Sequence, residues 1–251
     1  MGIIQGITEF IPVSSSAHLI LVPWIFGWKG GLIDSLTFDV ALHIGTLLAV
    51  FTYFWGEWKA EIIDFNKRLL LFVLVGTIPA GVIGVLFEDI IKESLRDPLK
   101  IAIALVIIGI VMLLGDRYSK KKKGIRDITV FDSIIIGFAQ SLALIPGVSR
   151  SGITIVAGLF LGHKREDAAK FSFLLAIPVI MGAGLLELRH LFQEPREDEM
   201  MLLLSGIATS YIVGYLCIRF LIRYLQNHPL NVFVYYRILL AGVIMGFALF
   251  T

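Results

Sequence analysis

Six stretches of this chain, at about residues 38–56, 69–88, 98–116, 168–190, 200–220 and 232–251, are long and apolar enough to cross a lipid bilayer. A bilayer core about 30 Å thick takes roughly 20 apolar residues of helix. Inside it every backbone N–H and C=O must find a partner within the protein, which for runs of this length specifies helices. No remaining segment of the 251 residues is long enough for a separate soluble domain, and a chain 57% hydrophobic with mean hydropathy +0.85 lies outside the soluble range. The only cysteine, Cys217, falls in an apolar run, which excludes a disulfide framework and a cysteine-ligated metal. Gln5 and Glu9, with no basic residue ahead of them, fit a cleaved signal peptide poorly.

Two more apolar regions, 1–28 and 132–163, are each broken near the middle, by IPVSSSAH and by IPGVSRSGIT. Each break leaves limbs of about 10 to 16 residues. At 1.5 Å per residue such a limb reaches roughly half to three quarters of the way through a bilayer, as in a re-entrant hairpin. The two regions also match at an offset of 135 residues: Gln5 with Gln140, Ser14 with Ser149, Ser16 with Ser151, and Pro12 within one position of Pro146. Each half is then one hairpin followed by three spans. A hairpin returns to its own side and three crossings end on the other, so the second half is inverted relative to the first. The expected architecture is an all-α polytopic membrane protein with six full transmembrane helices plus two re-entrant helix hairpins in an inverted repeat. It forms one membrane domain, 1–251, with halves of about 1–116 and 132–251 joined by a basic loop, 117–131.

Lys and Arg in the connections orient the chain. Loops 57–68, 117–131, 163–167 and 219–230 hold thirteen: Lys59, Lys67, Arg68, Arg117, Lys120 to Lys123, Arg126, Lys164, Arg165, Arg219 and Arg223. The opposite loops hold five, namely Lys29, Lys92, Arg96, Arg189 and Arg196. This asymmetry puts the four-lysine run in the cytoplasm, as a solvated orienting loop or a lipid-headgroup site, and puts both termini and the acidic QEPREDE segment outside.

In broken-helix inverted repeats the site lies near the midplane, where the interruptions meet. At the second break Pro146 and Gly147 turn the chain, and Ser149 or Ser151 is suited to cap the following helix. The helix start formed by Ser149, Arg150, Ser151 and Gly152 offers free N–H groups to an anion, and the Arg150 fork fits phosphate oxygens. An arginine at membrane depth costs at least about 2.5 to 3.5 kcal/mol, which a bound polyanion offsets better than lipid. The competing reading is an arginine paired structurally to a carboxylate or to carbonyls. Thr154 shares a helix face with Arg150 and Ser151. At the first break Gln5 and Glu9 share a face, as do Ser15 and His18 beyond it, with Ser14 alongside. Glu9 suits either a divalent cation or a proton, Ser15 or His18 suits attack on phosphorus, and His18 suits proton transfer. A packing role for Glu9 or His18, and a mere cap for the serines, compete with this. Asp39, His43, Glu187 and Arg237 fall near span ends, where snorkelling is the default. Gln140 suits a hydrogen bond within its hairpin. No P-loop and no HExxH is present.

QGITEFIPVSSSAH (Gln5 to His18) and PGVSRSGIT (Pro146 to Thr154) resemble the two signature regions of the bacterial undecaprenyl-diphosphatase family of the bacitracin-resistance type, and the likeness of layout runs across nearly the whole chain. The resemblance implies removal of the terminal phosphate of undecaprenyl diphosphate, which recycles the lipid carrier for cell-wall synthesis. It also implies a divalent cation, magnesium or calcium, and a multi-pass protein of the bacterial cytoplasmic membrane whose site opens to the outer face. Carried over residue by residue it points to Glu9, Ser15, His18, Ser149, Arg150 and Thr154, with Gln5 where many relatives have glutamate. The expected partners are the polyprenyl diphosphate and the membrane, with no nucleic acid; a homo-oligomer is compatible. The acid-phosphatase type of membrane phosphatase needs a His six residues after its Ser-Arg, and Val156 stands there. The rival class is a secondary transporter or flippase for an anion or lipid phosphate, since its fold would be of the same kind.

Overall fold

The computed structural model describes residues 1–28, 35–56, 59, 67–87, 97–191 and 197–250. The expected outer connections 29–37 and 89–97, with Lys29, Lys92 and Arg96, lie largely outside the described residues, as does the middle of 189–199 with Arg196. The described elements are helical, apart from one isolated bridge between Lys123 and His163. In chain order they are α1 (Gly2–Phe10), α2 (Ser15–Phe26), α3 (Leu36–Tyr53), α4 (Arg68–Leu86), α5 (Pro98–Tyr118), α6 (Val130–Ser141), α7 (Arg150–Phe160), α8 (Arg165–Leu191), α9 (Glu197–Asn227) and α10 (Asn231–Phe250).

Local chemistry sets the helix ends. Asp97 accepts from the N–H groups of Leu99 and Lys100, with Pro98 at the first helical position, where a missing N–H is harmless. Thr129 and Asp132 form a reciprocal capping box at the start of α6. Among the described residues four helices are long and apolar enough to cross a membrane: α4, α5, α9 from Met200, and α10 to Ala248. The six expected spans thus include two of different character. The apolar part of α3 is shorter, and α8 carries Arg165, Glu166, Asp167 and Lys170 in its first turns while burying Phe171, Phe173, Leu174, Leu175 and Ala176 in the core. The lipid-exposed character of the others is plain on α4, where Leu71, Leu74, Ile78, Val82 and Val85 form an exposed stripe at three- and four-residue spacing.

The two broken regions are built alike. Ser14 and Ser149 both take left-handed backbone angles, φ 77° and 73°, which non-glycine residues rarely adopt. Each accepts a backbone N–H three residues on, from Ala17 and Gly152, and each stands beside a second hydroxyl, Ser16 at 3.2 Å and Ser151 at 3.3 Å. Packing repeats as well: α1 lies on α9 as α6 lies on α4, and α3 lies on α9 as α8 lies on α4. Likewise α7 packs on α5 while α2 meets α10 through Trp24–Phe247 and His18–Tyr236 ring contacts. Matching close approaches hold these pairs. A Cβ on Gly137 of α6 would stand 2.4 Å from the Gly76 carbonyl oxygen of α4, and one on Gly2 of α1 would stand 3.0 Å from that of Gly206 on α9. Gly137→Ala is therefore expected to destabilise by about 1–3 kcal/mol, because a backbone oxygen cannot step aside. Gly242→Ala, where nothing lies within 4 Å, should leave the thermal midpoint of the purified protein unchanged or slightly raised.

Two sequence expectations change at the basic end. The connection expected at 219–230 is mostly helix: α9 continues to Asn227, because Ile218, Leu221, Ile222 and Leu225 extend its buried stripe past the apolar run while Arg219 and Arg223 point outward. The four-lysine segment is docked as well as basic. The N–H groups of Lys122 and Lys123 donate to the Gly162 carbonyl, and that of Lys164 donates to the Lys123 carbonyl. Lys121 reaches buried Asp116, which also accepts from Arg165 at 2.5 Å and from the Leu230 N–H at 2.9 Å. One carboxylate thus ties the end of α5 to the starts of α8 and α10. In the same region burial pushes the His163 imidazole below its ordinary pKa, against the pull of Asp132 3.6 Å away.

Candidate functional site between the hairpin tips

Glu9 is the centre of the polar cluster. It occupies the last turn of α1, just ahead of the break at Pro12, and is buried. Its Oε1 accepts from Arg150 Nη2 at 2.6 Å, joining residues 141 apart in the chain. Its Oε2 accepts from Ser15 Oγ at 2.7 Å and from Gln5 Nε2 at 3.1 Å, with His43 Nε2 3.6 Å away. One carboxylate therefore holds the first residue of α2 and the first residue of α7, so a hydroxyl from one hairpin and a guanidinium from the other meet on it. Under the 135-residue offset Ser15 and Arg150 are counterparts: the repeated scaffold presents two different chemistries at equivalent places.

Arg150 is oriented from its far side. Nη1 donates to the Ser172 carbonyl of α8 at 3.0 Å. Thr154 is buried, and its hydroxyl donates to the Arg150 carbonyl at 2.7 Å while lying 2.6 Å from Ser172 Oγ. Because the single Thr154 proton serves that helix carbonyl, Ser172 is the donor between the two hydroxyls. Thr154 thus braces the strut beneath Arg150 rather than facing an open surface. Only two of the five guanidinium N–H groups are engaged in these bonds, which leaves donors for a ligand.

His18 is buried in α2, and its Nδ1 lies 2.8 Å from the Ser14 carbonyl. Its Nε2 lies 2.7 Å from the Tyr236 hydroxyl. The imidazole therefore belongs to the first tip yet touches neither Ser15 nor Glu9 by hydrogen bond. Ser14, Ser149 and Ser151 act on their own backbones or on each other, and Gly152 gives its N–H to Ser149.

Arg237 of α10 corrects the snorkelling expectation, since it is 0% exposed. Its Nε donates to the Leu105 carbonyl, Nη1 to Pro12, and Nη2 to Gly147 and Val148. A single guanidinium spans the turns of both hairpins and so fixes how close their tips stand. His43 also departs from that expectation by reaching Glu9, while Glu187 lies outside the described side chains. Sequence reasoning gave Arg237, His43, Ser172 and Tyr236 no part in the site. The signals available were that Arg237 is the only charged residue of its apolar run and that His43 lies within one; nothing marked Ser172 and Tyr236.

As to a cation, the donor set is small. Among the described residues no group of three or more His, Cys, Asp or Glu side chains gathers to hold a metal. Gln5 Oε1 is buried, accepts no hydrogen bond among the described residues and lies on the amide that touches Glu9. Gln140, its counterpart, donates weakly to the Gly76 carbonyl at 3.5 Å and also has a buried unpartnered oxygen. What distinguishes Gln5 is the carboxylate beside it: an amide oxygen and a carboxylate are the hard donors magnesium and calcium take.

These features define a polytopic helical membrane protein with a charged, hydroxyl-bearing centre clamped between two hairpin tips. The family described as "Bacitracin resistance protein BacA" matches residues 1–243, and the chain belongs to that family. It is similar to the undecaprenyl-diphosphatase of Thermodesulfovibrio yellowstonii, with 49% identity over 244 residues that cover 97% of this chain and 93% of the relative. It is also similar to those of Moorella thermoacetica, at 44% identity over 98% of this chain and 95% of the relative, and Desulforudis audaxviator, at 46% over 99% and 96%.

Proposed function

We infer that the protein is an integral-membrane undecaprenyl-diphosphatase, hydrolysing undecaprenyl diphosphate to undecaprenyl phosphate and inorganic phosphate. Full-length similarity to enzymes of that name supports the reaction and does not favour the transporter alternative. One observation carries its location: Glu9 engages Ser15 of one tip and Arg150 of the other at once.

The free N–H groups of Arg150, with those at the start of α7 around Ser149 and Ser151, bind the phosphate oxygens and stabilise the charge that builds at the terminal phosphorus. Ser15 Oγ, already donating to Glu9, attacks that phosphorus as Glu9 takes its proton. The bond from phosphorus to the bridging oxygen breaks and undecaprenyl phosphate departs with the electron pair. Water then cleaves the serine phosphate, and the first tip holds a second proton carrier, His18, for that step. A divalent cation, magnesium or calcium, would rest on Glu9 and Gln5 Oε1 and supply Lewis-acid neutralisation of the phosphates.

The fold reading that accompanies this is six spans and two re-entrant hairpins in an inverted repeat, halves 1–116 and 132–251. The paired Ser14 and Ser149 caps and the repeated helix partners support it. The basic end with Arg117, Lys120, Lys122 and Lys164 belongs in the cytoplasm, so the protein sits in the cytoplasmic membrane with the site reached from the outer face.

Phosphate release from undecaprenyl diphosphate by the purified protein in detergent tests this. Release is expected to vanish with a chelator and return with magnesium or calcium. Ser15→Ala is expected to lower it about 10³-fold or more, and acid quenching of the wild type to trap phosphate on Ser15. No release by folded wild type supplied with cation would sink the enzyme; full activity in Ser15→Ala would move the attack to water or His18.

A further inference from the structure

Beyond the two tips, the His18 and Tyr236 contact constrains how the imidazole works. The Ser14 carbonyl can only accept, so the 2.8 Å contact puts the His18 proton on Nδ1. Nε2 of the neutral ring then carries the lone pair, and the Tyr236 hydroxyl at 2.7 Å donates to it. The two rings also stack, with centroids 5.8 Å apart and planes 11° apart. His18 is 7% exposed and Tyr236 42%, so the phenol stands between the imidazole and its surroundings. Tyr236 is itself fixed from behind, because its neighbour Arg237 is locked to four carbonyls, including those of both hairpin turns.

We propose that Tyr236 is a positioning residue of the reaction: its hydroxyl, bonded to Nε2, fixes the direction of the one His18 ring atom with a lone pair to take up a proton. The placement of the tips and the setting of the imidazole then come from adjacent residues of α10. This rests on the reading of His18 as a member of the site. Nδ1 is committed to the backbone of the cap residue, so any proton His18 handles passes through the atom Tyr236 holds. A ring released from that hold keeps its chemistry and loses its direction, and a misplacement of about 1 Å is enough to slow an enzyme by up to two orders of magnitude.

Tyr236→Phe keeps the stacked ring and removes only the hydroxyl. Its kcat for phosphate release is expected to fall about tenfold with KM within about twofold and the thermal midpoint unchanged. In a His18→Gln background the same change is expected to cost nothing further, since its effect runs through His18. The 15N resonance of His18 Nε2, assigned by its loss in His18→Gln, is expected to move in Tyr236→Phe toward the position of an unbonded ring nitrogen. An unaltered kcat and Nε2 resonance in Tyr236→Phe, or an equal loss in both backgrounds, would overturn the proposal alone. Wild-type activity in His18→Gln would overturn the placement of His18 in the site, and this proposal with it.

Discussion

Arg150→Ala is expected to lower phosphate release by about 10³-fold or more and to destabilise the fold by about 3–5 kcal/mol. Both losses come from one geometry. The guanidinium neutralises a carboxylate that is almost fully buried, at 2.6 Å, and its remaining donors are those proposed to meet the phosphates. Removing it leaves the buried carboxylate of Glu9 charged without its arginine partner. The two effects are separable. Glu9→Gln combined with Arg150→Met removes both charges and is expected to recover most of the thermal midpoint while leaving the protein inactive. Arg150→Lys keeps the charge but cannot serve Glu9 and the Ser172 carbonyl together, so it should fold and remain strongly impaired. Activity within tenfold of wild type in Arg150→Ala, measured as phosphate released in detergent, would remove the second tip from the mechanism.

Arg237→Met should cost stability on the scale of Arg150→Ala, although Arg237 is assigned no contact with the substrate. Its loss strips donors from four buried carbonyls, at Pro12, Leu105, Gly147 and Val148. The Leu105 carbonyl keeps its bond within α5, so at about 1–3 kcal/mol for each of the other orphaned groups, and allowing some relaxation, a loss of at least about 3 kcal/mol is expected. Thermal unfolding of the purified variant measures it. Activity should fall more than folding alone explains, because Pro12 lies at the turn carrying Ser15 and Gly147 at the turn carrying Arg150. Arg237→Lys reaches fewer of these oxygens and is expected to recover only part of the midpoint. An Arg237→Met protein as stable as wild type would mean that the tips are set by helix packing and not by this fork.

Glu9, Ser15 and Arg150 were legible in the sequence because each sits at a break in an apolar run, where a polar residue is costly and so conspicuous. Their pairing was only partly legible. The structure shows the competing sequence reading of Arg150, as partner of a carboxylate, and the phosphate reading stays a proposal that rests on the donors left over after Glu9 and Ser172. The role of Thr154 was not legible. Its spacing puts it on the face of Arg150, but only α8 packed against α7 reveals that Ser172 occupies its hydroxyl. Arg237 shows the limit from the other side. Position in an apolar run marks a charge as costly without telling whether it reaches for water or for carbonyls 89 to 225 residues away along the chain.

By itself, then, the sequence determined what depends on near neighbours: the helices, from runs of bilayer length and from a cap such as Ser149; the two breaks, from Pro-small-Ser segments; and their likeness, from an offset of 135 residues. The tertiary structure alone decided which of those pieces touch. The meeting of Glu9 with Arg150, the clasp of Arg237 on both turns, the hold of Tyr236 on His18 and the continuation of α9 to Asn227 rest on long-range packing and on hydrogen bonds whose partners are chosen by the fold. The physical reason is that a buried donor must be satisfied somewhere, and the chain written in order does not say which distant acceptor will be within 3 Å.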